Sequence, residues 1–245
     1  MNVEDIGTRL AGLLTAAILI VSASGCAWTV RAGELRTESR TVELNGAESA
    51  EISLKMGAGG LTVAGGAEEL TEAEFMYNVA DWRPTIDYSV NSGGQGDLSI
   101  EQPEVKNLGL DSYRYEWDIR LSKEVPMTLD VALGAGESEL DVGSLNLTDL
   151  DVKVGFGGVE LDLRGDREKN LTVRIRGGIG ETTVLLPSDV GVEAKVRGAL
   201  GEVDVSGLTR EGDTYVNEAY GASGATITLD VQGGVGGVTL DVIDG

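Results

Sequence analysis

Short runs that alternate apolar and polar residues recur along most of the chain. Examples are TLDVAL (128–133), NLTVRIR (170–176) and TITLDVQ (226–232). Strict alternation places every second side chain on one face, which is typical of a half-buried β-strand. The pattern therefore predicts an all-β protein built from many short strands.

The runs come in pairs that are joined at glycine. Aligned on the glycine before each second run, the phrase repeats at intervals of 21, 23, 21 and 35 residues. These glycines are Gly136, Gly157, Gly180, Gly201 and Gly236. A period of about 20 residues with two strands per unit is typical of a solenoid, in which units bury their apolar faces by stacking. We predict a single-stranded β-solenoid, a β-helix-like stack; independent hairpins in a β-sandwich are the alternative.

The repeat divides the chain into two predicted parts. The solenoid occupies residues 127–245, and a smaller β domain occupies residues 41–126. The longest interval contains a polar segment, Ser206 to Gly224, which predicts a loop that leaves the stack and returns. The chain closes on TLDVIDG without an obvious cap, and exposed strand edges favour pairing. We therefore expect self-association or partner binding through the C-terminal rung.

The first 26 residues have the pattern of an export signal. The apolar stretch from Leu10 to Val21 is shorter than the about 20 residues that span a bilayer. Small residues follow, and ASGC (23–26) resembles a bacterial lipobox, in which the cysteine is lipidated. Residues 1–26 are thus predicted to be a lipoprotein signal peptide ending at Cys26, and residues 27–40 a tether. An uncleaved anchor or ordinary secretion are the alternatives.

Composition excludes several functions. The net charge of −22 disfavours nucleic acid as a partner, because phosphate would be repelled. The absence of histidine removes the usual general base and most zinc sites. The single cysteine, Cys26, excludes an intrachain disulfide. We predict no catalytic residues, no metal and no cofactor.

Acidic side chains occupy outward positions of the second strands. If the units stack in register, these carboxylates form a ladder, and like charges opposite one another destabilise a sheet. The ladder must then be solvated, interrupted, or bridged by cations such as Ca²⁺. The positions are Glu139, Asp141, Glu160, Asp162, Asp204 and Asp241.

Aromatic residues concentrate before residue 127. Tyr113, Tyr115 and Trp117 alternate along one predicted strand, so they share a face. They could form a stacking platform for sugar rings or a partner's side chains. The alternative is that they fill the core of this part of the chain.

Two regions resemble known families. RIRGGIGETTVLLPSDVGVEAKVRGALGEVDVSG, then YVNEAY and TITLDVQGGVGGVTLDV, resemble the C-terminal domain of the cell-wall-active-antibiotic-response (LiaF-like) proteins and bacterial toast-rack proteins. Upstream, LKMGAGGLTVAGGAEELTEAEFMYNVADWRPTIDY followed by GDLSIEQ is similar to the toast-rack N-terminal domain. The resemblance implies an all-β stack in the bacterial envelope. It implies no catalytic residues.

Together these patterns predict a non-enzymatic cell-envelope lipoprotein, extracytoplasmic and lipid-anchored to the membrane. It would act as a binding or scaffold module for an envelope protein or polysaccharide, with envelope-stress response as a candidate process. The alternatives are a polysaccharide-binding protein and a carbohydrate-active enzyme on a β-helix. Two carboxylates about 5 to 10 Å apart in a surface groove would favour the enzyme.

Overall fold

The computed structural model describes residues 32–104 and 112–244. The predicted signal peptide, Cys26 and residues 27–31 of the predicted tether lie outside these residues, whereas residues 36–40 of that tether belong to the first strand. In the described part of the chain, one 3-10 turn (Ala80–Trp82) accompanies 17 strands. The strands are β1 (Arg36–Val42), β2 (Ser49–Gly65), β3 (Thr71–Tyr77), β4 (Thr85–Val90), β5 (Gln95–Glu101), β6 (Tyr115–Leu121), β7 (Met127–Asp141), β8 (Leu147–Phe156), β9 (Val159–Asp162), β10 (Leu171–Ile179), β11 (Thr182–Pro187), β12 (Gly191–Arg197), β13 (Val203–Ser206), β14 (Thr209–Glu211), β15 (Thr214–Val216), β16 (Thr226–Gln232) and β17 (Val238–Ile243).

The strands form one sheet folded into two halves, because β2 and β7 run through the fold and belong to both. The first half has the order β4-β5-β2-β7-β8-β10-β16-β12-β15-β14, and the second half has the order β1-β3-β6-β2-β7-β9-β11-β17-β13. Pairing within the stack is parallel, whereas β1, β3, β4, β14 and β15 pair antiparallel at its ends. The predicted all-β solenoid is confirmed.

Each rung consists of a strand of the first half, a corner and a strand of the second half. The corner glycines lie directly above one another in the order Gly59, Gly136, Gly157, Gly180, Gly236 and Gly201. Gly157 shows why no other residue fits there. Its φ is +122°, and a Cβ would lie 1.8 Å from the carbonyl oxygen of Gly136 in the rung below. The glycine repeat in the sequence therefore marks the line along which the sheet folds.

Inward side chains of both halves form one core. Val159 and Leu161 of β9 lie above Ser138 and Leu140 of β7, and the column continues through β11 and β17 to β13. Val159 and Leu161 are buried, whereas Val203 on the terminal rung is 39% exposed. The stacked register expected from the repeat is thus present.

The rungs are not stacked in chain order. The last rung, β16 and β17, lies between the β10–β11 rung and the β12–β13 rung. The prediction that the C-terminal rung has a free edge is therefore wrong, since β17 pairs with β11 on one side and β13 on the other. Within the described residues, the second half of the sheet ends instead at β13.

The segment from Ser206 to Gly224 makes this order possible. It forms the antiparallel pair β14–β15, and β15 pairs with the outer edge of β12. Asn217 fixes its return. The Asn217 Oδ1 accepts from the Val192 amide at 2.8 Å, and its Nδ2 donates to the Val190 carbonyl at 2.7 Å. The polar insertion is therefore a cap on the first half of the sheet.

The predicted domain boundary at residue 126 separates β2 from β7, two strands that pair with each other in one stack. β7 pairs with β2 along nearly its whole length, and both contribute to the same core. The antiparallel strands β1, β3 and β4 distinguish the N-terminal end. The division into two domains stays a prediction.

Candidate functional site

The predicted aromatic platform lies mostly inside the molecule. Tyr115 and Trp117 are 4% and 2% exposed, and the Phe75 ring contacts the Trp117 ring edge to face at 5.5 Å between centroids. Tyr113 is half-buried and packs on Trp82. Burial raises the pKa of the Tyr115 phenol, a shift that the neighbouring Trp117 indole partly offsets. Tyr115 and Trp117 thus lie in the core, which was the alternative to the ligand platform.

The outer surface of the fold instead carries a line of apolar side chains, here called the corner ridge. In each rung, the residue directly before the corner glycine belongs to the ridge. These residues are in register from rung to rung. The ridge residues are Ala58, Ala135, Phe156, Ile179, Val235 and Leu200. The last four are 60%, 50%, 51% and 73% exposed, respectively.

Basic side chains follow one flank of the ridge, on the first half of the sheet. Lys55, Lys153, Arg176 and Arg197 share one column, interrupted by Ala132 and Gln232. Each of these cations forms an ion pair with a neighbouring acid of the same chain. The hydrogen bonds of Asp130 and Asp151 raise the pKa of Lys153, and Glu101 does the same for Lys55. Part of this column lines a groove of about 610 Å³.

Acidic side chains follow the opposite flank, on the second half. Their column alternates glutamate with glycine, in the order Glu116, Gly60, Glu137, Gly158, Glu181, Gly237 and Glu202. Because glycine separates successive glutamates, like charges are two strands apart. The Gly158 amide also donates to the Glu137 Oε2 at 3.0 Å. The column borders a groove of about 890 Å³.

The predicted carboxylate ladder is present in pieces. Glu139 lies beside Glu160, and Asp141 beside Asp162, but Thr62, Thr183 and Thr239 interrupt the first of these columns. Arg164 forms an ion pair with Asp162, with 2.6 Å between Nη2 and Oδ2, which compensates the negative charge of Asp162. In the part of the chain that the structure describes, no group of three or more metal-binding side chains is gathered.

Glu139 and Glu160 are the pair that the enzyme alternative requires, since adjacent strands are about 4.8 Å apart. Both line the acidic groove, and both are exposed to solvent. With the glutamates of the acidic column, they give the groove a lining that is suited to binding positive charge.

Sequence reasoning missed the corner ridge. Its signal is a large apolar residue between two glycines, as in GFG (155–157), GIG (178–180) and GVG (234–236). Polar residues are usual at such turns. A bulky apolar residue at an exposed turn in successive repeats is thus the sequence signal of the corner ridge.

Comparisons place the chain among known proteins. A family model described as the N-terminal domain of toast_rack, DUF2154, matches residues 31–185. A second, described as cell wall-active antibiotics response LiaF, C-terminal, matches residues 135–240. No curated protein sequence matches the chain. Within the described residues, no helix has the length and apolar character needed to cross a membrane.

The chain is also similar to solved structures. A Clostridium sporogenes protein assigned as a cell adhesion protein is 36% identical, with a TM-score of 0.82 over 86% of this chain and 100% of that one. A Bacteroides fragilis protein assigned as an adhesin is 14% identical, with a TM-score of 0.36 over 84% of this chain and 97% of that one. The chain belongs to the toast-rack family and carries a LiaF-like C-terminal region.

Proposed function

We propose that the chain is a non-enzymatic binding module of the bacterial cell envelope, held at the membrane by a lipid on Cys26. The observation that carries the proposal is the corner ridge. Four large apolar side chains are at least half exposed along one line of a rigid stack. Contiguous apolar surface of this kind marks sites of interaction.

Two similarities support the proposed setting. The Clostridium sporogenes relative is assigned to cell adhesion, and the C-terminal family model is described by a response to cell wall-active antibiotics. An envelope-stress role through binding is consistent with both. The polysaccharide alternative is less well supported, because two of its three proposed ring contacts are in the core.

Proximity labelling in living cells tests the proposal. The full chain would carry a labelling enzyme, and the labelled envelope components would be compared with those of a Phe156→Ser/Ile179→Ser variant. We expect the double variant to lose the specific set while folding normally, because both side chains are exposed. The matched control is Thr128→Ser/Thr172→Ser, on the outer face of the first half. An unchanged labelled set in the ridge variant would contradict the proposal.

A further inference from the structure

We infer that the corner ridge is the contact surface of a parallel homodimer, in which a two-fold axis runs along the stack. The inference rests on the proposed function, since it names the occupant of the ridge. Its first basis is shape. The ridge is a line of in-register side chains, about 24 Å long for five steps of about 4.8 Å between strands. A linear protrusion of this kind can pack along an identical one.

The second basis is charge. Two rungs show the full arrangement across the corner, from basic flank to ridge to acidic flank. In the β10–β11 rung these residues are Arg176, Ile179 and Glu181, and in the terminal rung they are Arg197, Leu200 and Glu202. Arg176 and Arg197 also form ion pairs with Asp151 and Asp230 of their own chain, so a partner's carboxylate would join an existing pair. A partner that suits the ridge carries a negative flank on one side and a positive flank on the other.

A second copy meets this requirement in one orientation. When the axis runs along the ridge, the first half of one copy faces the second half of the other, so Arg176 faces the partner's Glu181 at the same height. When the axis is perpendicular to the ridge, acidic flank meets acidic flank. Charge complementarity selects the parallel arrangement, because like charges across an interface disfavour a docking mode.

Attachment to one membrane favours the same arrangement. β1 lies at the Ala58 end of the stack, where the described residues begin. In the parallel dimer both N-terminal strands lie at the same end, as two chains anchored in one membrane require. In the antiparallel arrangement they would lie at opposite ends.

The contact is expected to be weak in solution. A standard interface buries about 800 Å² per partner, and a single line of side chains with its two flanks reaches that area only if all three contribute. Confinement of two chains to one membrane raises their effective concentration and favours a weak contact. The experiment therefore uses the full chain in the membranes of the cells that produce it.

Single cysteines distinguish the two orientations. Ala58→Cys, Ile179→Cys and Leu200→Cys would each be oxidised in membranes, with the parent chain, whose one cysteine is Cys26, as background. The parallel dimer brings every ridge residue to its own counterpart, so all three variants should form disulfide-linked dimers. Thr128→Cys, outside the ridge, should not.

A charge reversal tests the flanks in the Ile179→Cys chain. Arg176→Glu places glutamate opposite the partner's Glu181 and should lower the yield of linked dimer about five-fold. Adding Glu181→Arg restores opposite charges and should restore the yield.

Three results would overturn the inference. The first is that no linked dimer forms at any of the three positions. The second is that Ala58→Cys links to Leu200→Cys in mixtures while neither variant links to itself. The third is that the charge reversal does not change the yield of linked dimer. If linkage fails while the proximity labels still depend on the ridge, the ridge binds another envelope component and the proposed function stands. If the labels also ignore the ridge, both proposals fail.

Discussion

Single glycines determine where the sheet folds. At Gly157 two demands coincide, a positive φ of +122° and a neighbouring carbonyl oxygen 1.8 Å from any Cβ. Either demand alone could be met at some cost by another residue. Their combination explains why the phrase in the sequence keeps glycine while the apolar residue beside it varies from alanine to phenylalanine.

Replacing Gly157 by alanine should lower the free energy of unfolding by about 3 kcal/mol or more, because backbone strain and overpacking add. Urea denaturation of the full chain measures this loss. Gly212→Ala, at a φ of +61° with open space, separates the two causes and should cost about 1 kcal/mol. Gly224→Ala meets neither demand and should be neutral. A loss at Gly157 no larger than at Gly212 would argue against the stacked corner.

At the scale of elements, one capping segment is fixed to the edge of the stack. β15 covers the outer edge of β12, and Asn217 joins the turn after β11 to the start of β12 through hydrogen bonds that it both accepts and donates. Asn217 is 6% exposed, so solvent does not replace these bonds when the side chain is removed.

Asn217→Ala should destabilise the protein by about 3 kcal/mol, because it leaves the buried Val192 amide and Val190 carbonyl unpaired. Asn170→Ala is the matched control. Its Oδ1 also accepts from a backbone amide, that of Thr226 at 2.9 Å, but at an exposed position. Water can replace that bond, so its loss should cost about 1 kcal/mol or less. Thermal unfolding of both variants, followed by circular dichroism, makes the comparison; equal losses would contradict the capping role.

The strands themselves were readable from the sequence, whereas their contacts at the surface were not. TLDVAL, NLTVRIR and TITLDVQ lie in β7, β10 and β16, because alternation is a local property of the chain. Tyr115 and Trp117 also alternate, but alternation does not say which face is buried. The β3 and β1 strands that cover that region come from distant sequence, so burial of the two rings was decided by tertiary contacts.

At the scale of the whole molecule, the order of the rungs departs from the order of the chain. The repeat predicts that rungs stack, but similar rungs can stack in more than one order. β16 is the neighbour of both β10 and β12, and the connection that leads to it contains the β14–β15 pair and Asn217. These contacts are not a local pattern, so the repeat alone predicts the C-terminal rung at the end of the stack.

A chain truncated after Gly224 tests this order. It lacks β16 and β17, so β12 and β13 lose the strands with which they pair in parallel. We expect hydrogen exchange to show unprotected amides in β12 while β2 and β7, at the other end, stay protected. The full chain provides the reference. Continued protection of β12 in the truncated chain would mean that it does not depend on β16.

The inserted rung also has a consequence for biosynthesis. A nascent chain produces β12 and β13 before β16 and β17 exist, so rungs cannot simply be added one by one as translation proceeds. Until residues 226–243 emerge, the edge of β12 that pairs with β16 either remains open or pairs with β10 in an arrangement that must later be broken. The stack is therefore completed only once β16 and β17 have been made, and the interval before completion is when open parallel edges are most prone to aggregation.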